Sequence, residues 1–252
     1  MSFSADWLSL REGADRAARD QGLVAALAAW AKARGALDVV DIGAGTGATL
    51  RTLHPILPGA RWRLVDHDAG LLRLAAQSAR AIGAQARTLT LDLAADPGAA
   101  LAPAPALVTA SAFFDLASAA WIDRFADAAR AAGAAVYAAL SYDGDEAWAP
   151  PHPKDGAVRA AFLADMRRDK GLGPALGAGG GGYLAQALAA RGYAVRTASS
   201  PWRLAAPRDA GLIAALAAGV ADAAGAPDGW RAARIAATAA RIGHLDVLAT
   251  LE

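Results

Sequence analysis

Short apolar strands and amphipathic helices alternate along much of the chain. Arg61–Asp66 (RWRLVD) alternates in polarity as a strand does, and Leu71–Ala81 repeats its apolar residues at helical spacing. Asp68 lies at the capping position before that helix, and Gly83 follows its end. Because strands and helices keep alternating, the pattern predicts an α/β fold built on a mostly parallel sheet.

The same reading of periodicity gives the bounds of the other elements. The predicted strands are Val39–Ile42, Arg61–Asp66, Ala86–Leu91, Ala106–Ala112, Ala134–Leu140, Tyr193–Ala198 and His244–Leu251. The predicted helices are one capped by Ser4 that runs to about Asp20, Leu23–Arg34, one that begins at Thr49 and ends near residues 55–59, Leu71–Ala81, one that contains Trp121 and Phe125, Gly156–Arg168, Tyr183–Arg191, Asp209–Ala223 and Trp230–Arg241.

The regular alternation stops after the fifth predicted strand. Residues 145–182 are rich in proline, glycine and charge. Long irregular segments after a sheet strand are often functional, so we interpret residues 145–182 as an inserted substrate lid, with a mobile joint at Gly177–Gly182. Residues 1–35 are interpreted as an N-terminal helical cover, and residues 1–252 as a single domain.

Composition narrows the possible functions. The 252 residues carry a net charge of +1, which gives no electrostatic reason to expect a nucleic acid as partner. The chain has no cysteine, and its four histidines lack the spacing of a metal site, so we expect no metal. Gly211–Ala221 is among the longest uncharged apolar runs, and it is shorter than the roughly 20 residues of a membrane span. Met1–Trp7 lacks the pattern of a secretory signal. We therefore expect a cytoplasmic protein without a membrane partner, either a monomer or a homodimer.

The stretch Leu37–Leu53 (LDVVDIGAGTGATLRTL) carries the clearest chemical signal. β-branched residues up to Ile42 predict a buried strand, three glycines follow at every second position, and a helix begins near Thr49. Glycine permits positive φ and has no Cβ, so a ligand can lie against bare backbone at the helix N-terminus. The stretch therefore predicts a nucleotide-type binding site.

Three aspartates lie at or just after the carboxyl ends of three consecutive predicted strands. They are Asp41, Asp66 and Asp92. The carboxyl ends of parallel strands meet at one edge of a sheet, which is where ligands bind in such folds. Asp66 follows Asp41 by about 25 residues, near the spacing at which nucleotide-binding folds place a carboxylate on a ribose. A carboxylate at that position can accept hydrogen bonds from two neighbouring hydroxyls.

Two cofactor classes are compatible with these residues. The dinucleotide fingerprint G-x-G-x-x-G/A is satisfied loosely by residues 43–48, and an NAD-linked oxidoreductase would use Asp66 as well. That interpretation leaves Asp92 without a role and offers no recognisable Tyr/Lys catalytic pair. The fuller pattern is D-x-G-x-G-x-G, from Asp41 to Gly47, which resembles motif I of the class I S-adenosylmethionine (SAM)-dependent methyltransferases.

This resemblance extends over about residues 36–144, with Leu64–His67 as motif II and Leu91–Leu93 as motif III. It implies a Rossmann-like fold of seven strands in the order 3-2-1-4-5-7-6, the last strand antiparallel, with helices on both faces. It also implies SAM as the cofactor. The cofactor-binding residues implied are Arg11, Asp41, Gly43, Ala44, Gly45, Asp66, His67, Asp92, Leu93 and Ser111.

The resemblance assigns each part of the cofactor to different residues. The glycines would lie against the methionine part, Asp66 on the ribose hydroxyls, His67 beside the adenine, and Asp92 towards its amino group. Motif IV departs from the usual pattern: Ala106 and Ser111 stand where many members of the family carry an acid and an Asn or Asp. This difference removes one usual catalytic or substrate-contacting side chain.

Methyl transfer from SAM is an in-line displacement, and it needs a general base only if the acceptor is protonated. Asp115 follows the fourth strand by a short turn, so it is a candidate near the methyl group, with a helix cap as the alternative role. Tyr142 follows the fifth strand and is a second catalytic candidate, placed to contact the acceptor. His152 lies in the irregular segment, where it would act as a base or face solvent.

The acceptor is assigned to residues of the proposed lid. Trp148 is a candidate to form one wall of the acceptor pocket. Arg167 and Lys170 are candidate anchors for an anionic group of the acceptor, and the alternative for both cations is a solvated helix end. We therefore predict a methyltransferase that acts on an O or N atom of a small molecule. An NAD-linked oxidoreductase and a non-catalytic SAM-binding module that acts through a protein partner stay open as alternatives.

Overall fold

A mostly parallel sheet organises the protein, and the computed structural model describes residues 3–251 of the chain. The strands of this part are β1 (Asp38–Ile42), β2 (Arg61–Asp66), β3 (Gln85–Thr90), β4 (Leu107–Ser111), β5 (Ala135–Ala149), β6 (Ala194–Ser199), β7 (Trp202–Ala205) and β8 (Ala239–Thr250). They form one sheet in the order β3-β2-β1-β4-β5-β8-β6, with β7 paired to β8. Strands β1 to β5 are parallel, and β8 is antiparallel to β5, β6 and β7.

This topology confirms the predicted fold class and strand order, because the predicted sixth and seventh strands are β6 and β8. The short strand β7 was not predicted. The helices are α1 (Ala5–Ala18), α2 (Gln21–Lys32), α3 (Ala48–Leu53), α4 (Ala69–Ala81), α5 (Ala119–Ala132), α6 (Asp155–Met166), α7 (Gly180–Ala190), α8 (Ala210–Ala224) and α9 (Asp228–Ile235). Within residues 3–251, no helix combines the length and apolar character needed to cross a bilayer.

Side-chain caps fix where several helices begin. The Ser4 side chain accepts a hydrogen bond from the Trp7 N–H at 3.2 Å, and Asp20 accepts one from the Leu23 N–H at 2.8 Å. Asp68 accepts from two N–H groups in the first turn of α4. These bonds satisfy donors that a helix N-terminus would otherwise leave unpaired.

Both faces of the sheet are covered by helices. On one face Val40 and Ile42 pack with Trp121 and Phe125 of α5 and with α7. On the other face Val39 packs with α2, α3 and α4. Successive strand residues point to opposite faces, so an almost continuous apolar β1 supplies both cores.

The sheet extends beyond the predicted end of the fifth strand. β5 continues past Leu140 to Ala149 and pairs there with the first residues of β8. We call residues 141–149, 202–205 and 239–245 the arm. The arm has its own core, in which Trp148 and Trp202 pack with residues of α8. Because β8 begins at Ala239, the prediction that the last helix runs to Arg241 was wrong beyond Ile235.

Gly177–Gly182, where the composition predicts a mobile joint, is helical and closely packed in part. Residues 177–179 form a 3₁₀ turn, and α7 begins at Gly180. A Cβ added at Gly180 would clash with the Phe114 carbonyl oxygen, and one added at Gly181 would lie 2.9 Å from the Ser141 Cβ. Glycine therefore allows α7 to approach the turn after β4 and the middle of β5.

Candidate cofactor and acceptor site

The turn after β1 has the backbone that its glycines predict. Gly43, Gly45 and Gly47 have φ of +63°, +52° and +85°, in the left-handed region that side chains disfavour. A Cβ added at Gly43 would also lie 2.6 Å from the ring of Phe113. α3 begins at Ala48, directly after the turn. The sequence thus folds into a bare backbone cradle at the N-terminal end of a helix.

Side chains from other elements hold this turn in place. The Gly45 N–H donates to Asp66 Oδ2 at 2.8 Å, and the Asp68 N–H donates to Asp66 Oδ1 at 3.0 Å. Arg51 donates to the Thr46 carbonyl oxygen at 2.6 Å and pairs with Glu12 of α1. Asp66 keeps acceptor capacity for a ligand hydroxyl, because a carboxylate offers about four lone-pair sites.

Two adjoining hollows lie at the carboxyl edge of the sheet. The first, between the glycine turn and α1, is lined by Phe3, Leu8, Arg11, Asp15, Gly43, Ala44, Gly45, Thr46, Ala48, Thr49, Asp66, His67, Leu71, Ser111, Ala112, Phe113 and Leu116. The second, beside the ends of β2 and β3, is lined by Gly43, Asp66, His67, Leu91, Asp92, Leu93, Phe113, Leu116, Lys170, Gly171 and Leu172. The hollows share five residues, so they form one elongated site.

The hollows bring together every residue predicted to bind the cofactor except Asp41. Asp41 lies beneath the turn at 1% exposure, and its Oδ1 accepts a hydrogen bond from the Thr109 hydroxyl at 2.7 Å. Burial raises the pKa of Asp41 to about 7. Arg19, which is 3% exposed, lies nearby and donates to the Ser111 hydroxyl at 3.3 Å. No pattern in the sequence indicated Arg19, because it follows α1 among other charged residues.

Phe113 is a second residue that sequence reasoning missed. Its ring contacts Gly43, packs against Phe114 and Trp121, and lines both hollows. In the sequence an apolar residue after a strand is typical of the core. The only signal that Phe113 lines a site was its position just after the carboxyl end of β4. It places an aromatic wall where the two hollows meet.

These residues fit an adenosyl cofactor with an amino-acid tail. The glycine cradle leaves backbone open to a ligand, the second hollow has acids at the ends of two strands, and Arg11 supplies a cation in the first. Among residues 3–251, no group of three or more His, Asp and Glu side chains is placed to hold a metal ion.

Arg11 is held rigidly at the edge of the first hollow. Its Nε and Nη2 donate to the Asp15 carboxylate at 2.9 and 3.1 Å. The guanidinium lies 5.0 Å from the ring centre of Trp202 and 5.9 Å from that of Trp7. The Trp202 Nε1–H also donates to Asp15, at 2.9 Å. The site therefore contains a cation that is fixed before a ligand arrives.

The three predicted catalytic residues lie outside the lining of both hollows. Asp115 is 7% exposed, and burial raises its pKa to about 6. Tyr142 donates from its hydroxyl to Glu146 at 3.3 Å, and burial raises the pKa of this tyrosine. His152 belongs to the turn before α6, where its Nδ1 accepts a hydrogen bond from the Lys154 N–H.

The three residues predicted to bind the acceptor are dispersed. Trp148 packs in the arm against Trp230, with ring centres 6.2 Å apart. Arg167 is exposed at the end of α6. Lys170 lines the second hollow with Asp92, away from α1. The structure therefore does not gather them at one subsite.

His244 is a buried residue of the arm that lies close to Arg11. Its ring centre is 5.1 Å from that of Trp202 and 6.4 Å from that of Tyr142. Burial, with a smaller contribution from the charge of Arg11, lowers its pKa to about 3. His244 is therefore a neutral imidazole at neutral pH.

No protein-family model matches the sequence, and no curated protein is similar to it in sequence. Among solved structures, a cyclopropane-fatty-acyl-phospholipid synthase-like protein from Lactobacillus casei has a TM-score of 0.55 at 14% identity, over 97% of this chain and 94% of that one. The YcgJ protein from Bacillus subtilis has a TM-score of 0.51 at 13% identity, over 92% and 100% of the two chains.

An O-methyltransferase family protein from Burkholderia thailandensis is similar over 71% of this chain, at 16% identity and a TM-score of 0.49. The similar region spans 52% of that protein's length. At such identities the two structures with TM-scores above 0.5 establish a shared fold, and function has to be argued from the site. The chain has the fold of the class I SAM-dependent methyltransferases.

Proposed function

We propose that this protein is a SAM-dependent methyltransferase that transfers a methyl group to an O or N atom of a small molecule. The observation that carries the proposal is the elongated site of two adjoining hollows. It has a glycine cradle and Arg11 at one end and Asp92 at the other, with Asp66 lining both hollows. A ligand with a charged amino-acid tail and a nucleoside matches that order of groups.

When bound, SAM supplies a methyl group already activated on a sulfonium. The cradle at Gly43 and Gly45 would support its methionine part, and the fixed Arg11 would hold the carboxylate. Asp66 would accept hydrogen bonds from the ribose hydroxyls, and Asp92 would accept one from the adenine amino group. These groups bind and orient; the reaction needs the acceptor held in line and water excluded.

We place the acceptor on the side of the first hollow that faces α1 and the arm. Asp115 is the group proposed to accept a proton: it lies behind the lining of the first hollow, next to Leu116 in the sequence and near Arg11, and burial raises its pKa to about 6. Residues 1–35 are proposed as a cover, because Leu8 and Arg11 of α1 line the first hollow. Residues 145–182 are proposed as a lid, because residues 170–172 line the second.

We also propose that residues 1–252 act as one domain, in the cytoplasm, as a monomer or a homodimer. The near-zero net charge supports a small-molecule acceptor over a nucleic acid. The position of Asp92 in the second hollow suits an adenine amino group, which SAM and NAD both carry. An NAD-linked oxidoreductase is disfavoured because the sequence offers no recognisable Tyr/Lys catalytic pair. No observation favours the non-catalytic module.

Calorimetric titration with S-adenosylhomocysteine (SAH) and NAD tests the cofactor. We expect the protein to bind SAH and not NAD. Asp66→Asn should weaken SAH binding by about 10- to 100-fold, because a charged acceptor is worth roughly 1.5–3 kcal/mol. Asp38→Asn is the matched control, since Asp38 lies at the opposite end of β1 and pairs with Arg61 at the surface.

Incubation of the protein with SAM and a metabolite extract tests the transfer. A product heavier by one methyl group, absent with Gly45→Val, is the expected result. Preference for NAD, or SAH binding that is equal in Asp66→Asn and wild type, would overturn the cofactor assignment. SAH binding without methylation of any metabolite would favour the non-catalytic module.

A further inference from the structure

We infer that Lys170 is a specificity residue for the purine ring of the cofactor and does not belong to the acceptor site. The inference rests on the proposed function, because it takes the second hollow as the site of the adenosyl group. Lys170 is the only lysine or arginine among the residues that line this hollow. Its side chain is 11% exposed, so its charge is largely withdrawn from water.

An ion pair fixes the position of the ammonium group. Lys170 Nζ lies 2.8 Å from Asp165 Oδ2, in the last turn of α6. Arg168 pairs with the other oxygen of Asp165 at 3.0 Å, but its side chain is 77% exposed. Since an ammonium has three N–H groups, the bond to Asp165 leaves two that a ligand can use.

The backbone that carries Lys170 is also fixed. We call residues 169–176 the strap. Within it, Asp169 Oδ1 accepts hydrogen bonds from the N–H groups of Gly171 and Gly173 at 2.7 and 3.1 Å. The Ser118 N–H donates to the Leu172 carbonyl oxygen at 3.2 Å, which attaches the strap to the turn after β4. Because these hydrogen bonds already order the strap, a ligand that binds Lys170 loses little free energy in ordering it.

The hollow offers groups that together distinguish adenine from other purines. Asp92 would accept a hydrogen bond from the exocyclic amino group, and Lys170 would donate one to N1, the ring nitrogen beside it. Adenine supplies both partners. In hypoxanthine a carbonyl replaces the amino group and N1 carries a hydrogen, so a base bound in the same position leaves both Asp92 and Lys170 without a partner. Unpaired groups in such a site discriminate strongly between close analogues.

Three ligands separate this role from others. SAH carries the whole cofactor skeleton, 5′-methylthioadenosine lacks the amino-acid tail, and S-inosylhomocysteine replaces adenine by hypoxanthine. Lys170→Met keeps the apolar stem and removes the ammonium. Arg168→Met is the control, because it removes an exposed partner of the same carboxylate. Dissociation constants are measured by calorimetry, with thermal unfolding of each variant as a check on folding.

Lys170→Met should weaken SAH and 5′-methylthioadenosine by the same factor, about tenfold, because one charged hydrogen bond is lost. The dissociation constant of S-inosylhomocysteine should change by less than about twofold, so the ratio that measures preference for adenine over hypoxanthine also falls about tenfold. Arg168→Met should change none of the three constants.

Four results would overturn the inference. The first is that Lys170→Met changes none of the dissociation constants, and the second is that it weakens the binding of SAH but not of 5′-methylthioadenosine. The third is that it weakens the binding of all three ligands equally. The fourth is that Arg168→Met weakens SAH binding as much as Lys170→Met does. A wild-type protein that binds no SAH would overturn the proposed function itself, and that outcome is distinct because it appears before any variant is compared.

Discussion

The two halves of the sheet's carboxyl edge differ in the burial of their titratable groups and in the hydrogen-bond partners of these groups. At the ends of β2 and β3, the acids accept hydrogen bonds from nearby backbone: Asp66 from Gly45 and Asp68, and Asp92 from the Ala94 N–H at 2.9 Å. Beside the ends of β4, β5 and β8, the polar groups are more deeply buried. Asp115, Glu146 and His244 each have a buried polar atom with no hydrogen-bond partner in residues 3–251.

The difference separates a binding half, whose acids line the hollows, from a reactive half. Asp41, beneath the glycine turn and outside both hollows, shares the burial and the raised pKa of the acids in the reactive half. Hydrogen bonds from two backbone N–H groups hold the Asp66 carboxylate in place, so it serves as a fixed acceptor. Burial without partners favours neutral forms: it raises the pKa of Glu146 and takes that of Asp115 to about 6, and it lowers that of His244 to about 3. A group that changes protonation near working pH suits proton transfer better than cofactor binding.

The largest expected effect is on stability and comes from Asp246, which is completely buried where β8 meets β5. Its carboxylate accepts hydrogen bonds from the Leu140 N–H at 2.8 Å, the Ser200 hydroxyl at 2.5 Å and the Asp20 N–H at 3.0 Å. Asp246→Ala leaves three donors without a partner, so we expect the free energy of unfolding in urea to fall by roughly 3–5 kcal/mol.

Asp92→Ala is the matched substitution in the other half. Asp92 is exposed and accepts one local hydrogen bond, so its loss should cost under about 1 kcal/mol. Equal costs for the two variants would contradict the distinction between a locally and a remotely satisfied half.

The binding half was predictable because its contacts are local in sequence. Gly45 and Asp66 are 21 residues apart, and each ends a strand or follows one whose periodicity is clear. The reactive half depends on remote pairing. Trp202 and Asp15 are 187 residues apart, and no pattern in either segment indicates the other. β7 was missed because it has only four residues between two prolines, so its pairing with β8 decides its conformation.

The second largest expected effect concerns the cradle of the binding half. Gly45→Val forces a branched residue into φ of +52° and places its Cβ 3.1 Å from Leu8 Cδ1, on the floor of the first hollow. We expect SAH affinity to fall at least about 100-fold, since both the turn and the space above it change. Calorimetry measures the loss directly.

Gly83→Val separates backbone strain from lost space. Gly83 has φ of +68° with nothing within 4 Å of an added Cβ, and it lies outside both hollows. It should lose about 1–2 kcal/mol of stability and keep its SAH affinity. If both valine variants bind SAH like the wild type, the cradle is not a ligand site.

The smallest expected effect is on the pH dependence of stability, and it tests the reactive half. His244 has a folded pKa of about 3 against an ordinary value of 6.5, so it contributes stability that is lost as pH falls through and below 6.5. Asp115 has a folded pKa of about 6 against 3.8, so its contribution is lost as pH rises from about 4 to 6. The two contributions therefore have opposite slopes and partly cancel in the wild type.

Removing either group should reveal the slope of the other. For each variant we subtract the free energy of unfolding of the wild type at the same pH. For His244→Gln this difference should be about 1–2 kcal/mol more positive at pH 5 than at pH 8. For Asp115→Asn it should be about 1 kcal/mol more negative at pH 5 than at pH 8. Urea unfolding of the three proteins at both pH values measures these differences. Slopes equal to that of the wild type in both variants would mean that the two side chains titrate as they do in water. In that case the reactive half would hold ordinary solvated groups, and only the binding half would be specialised.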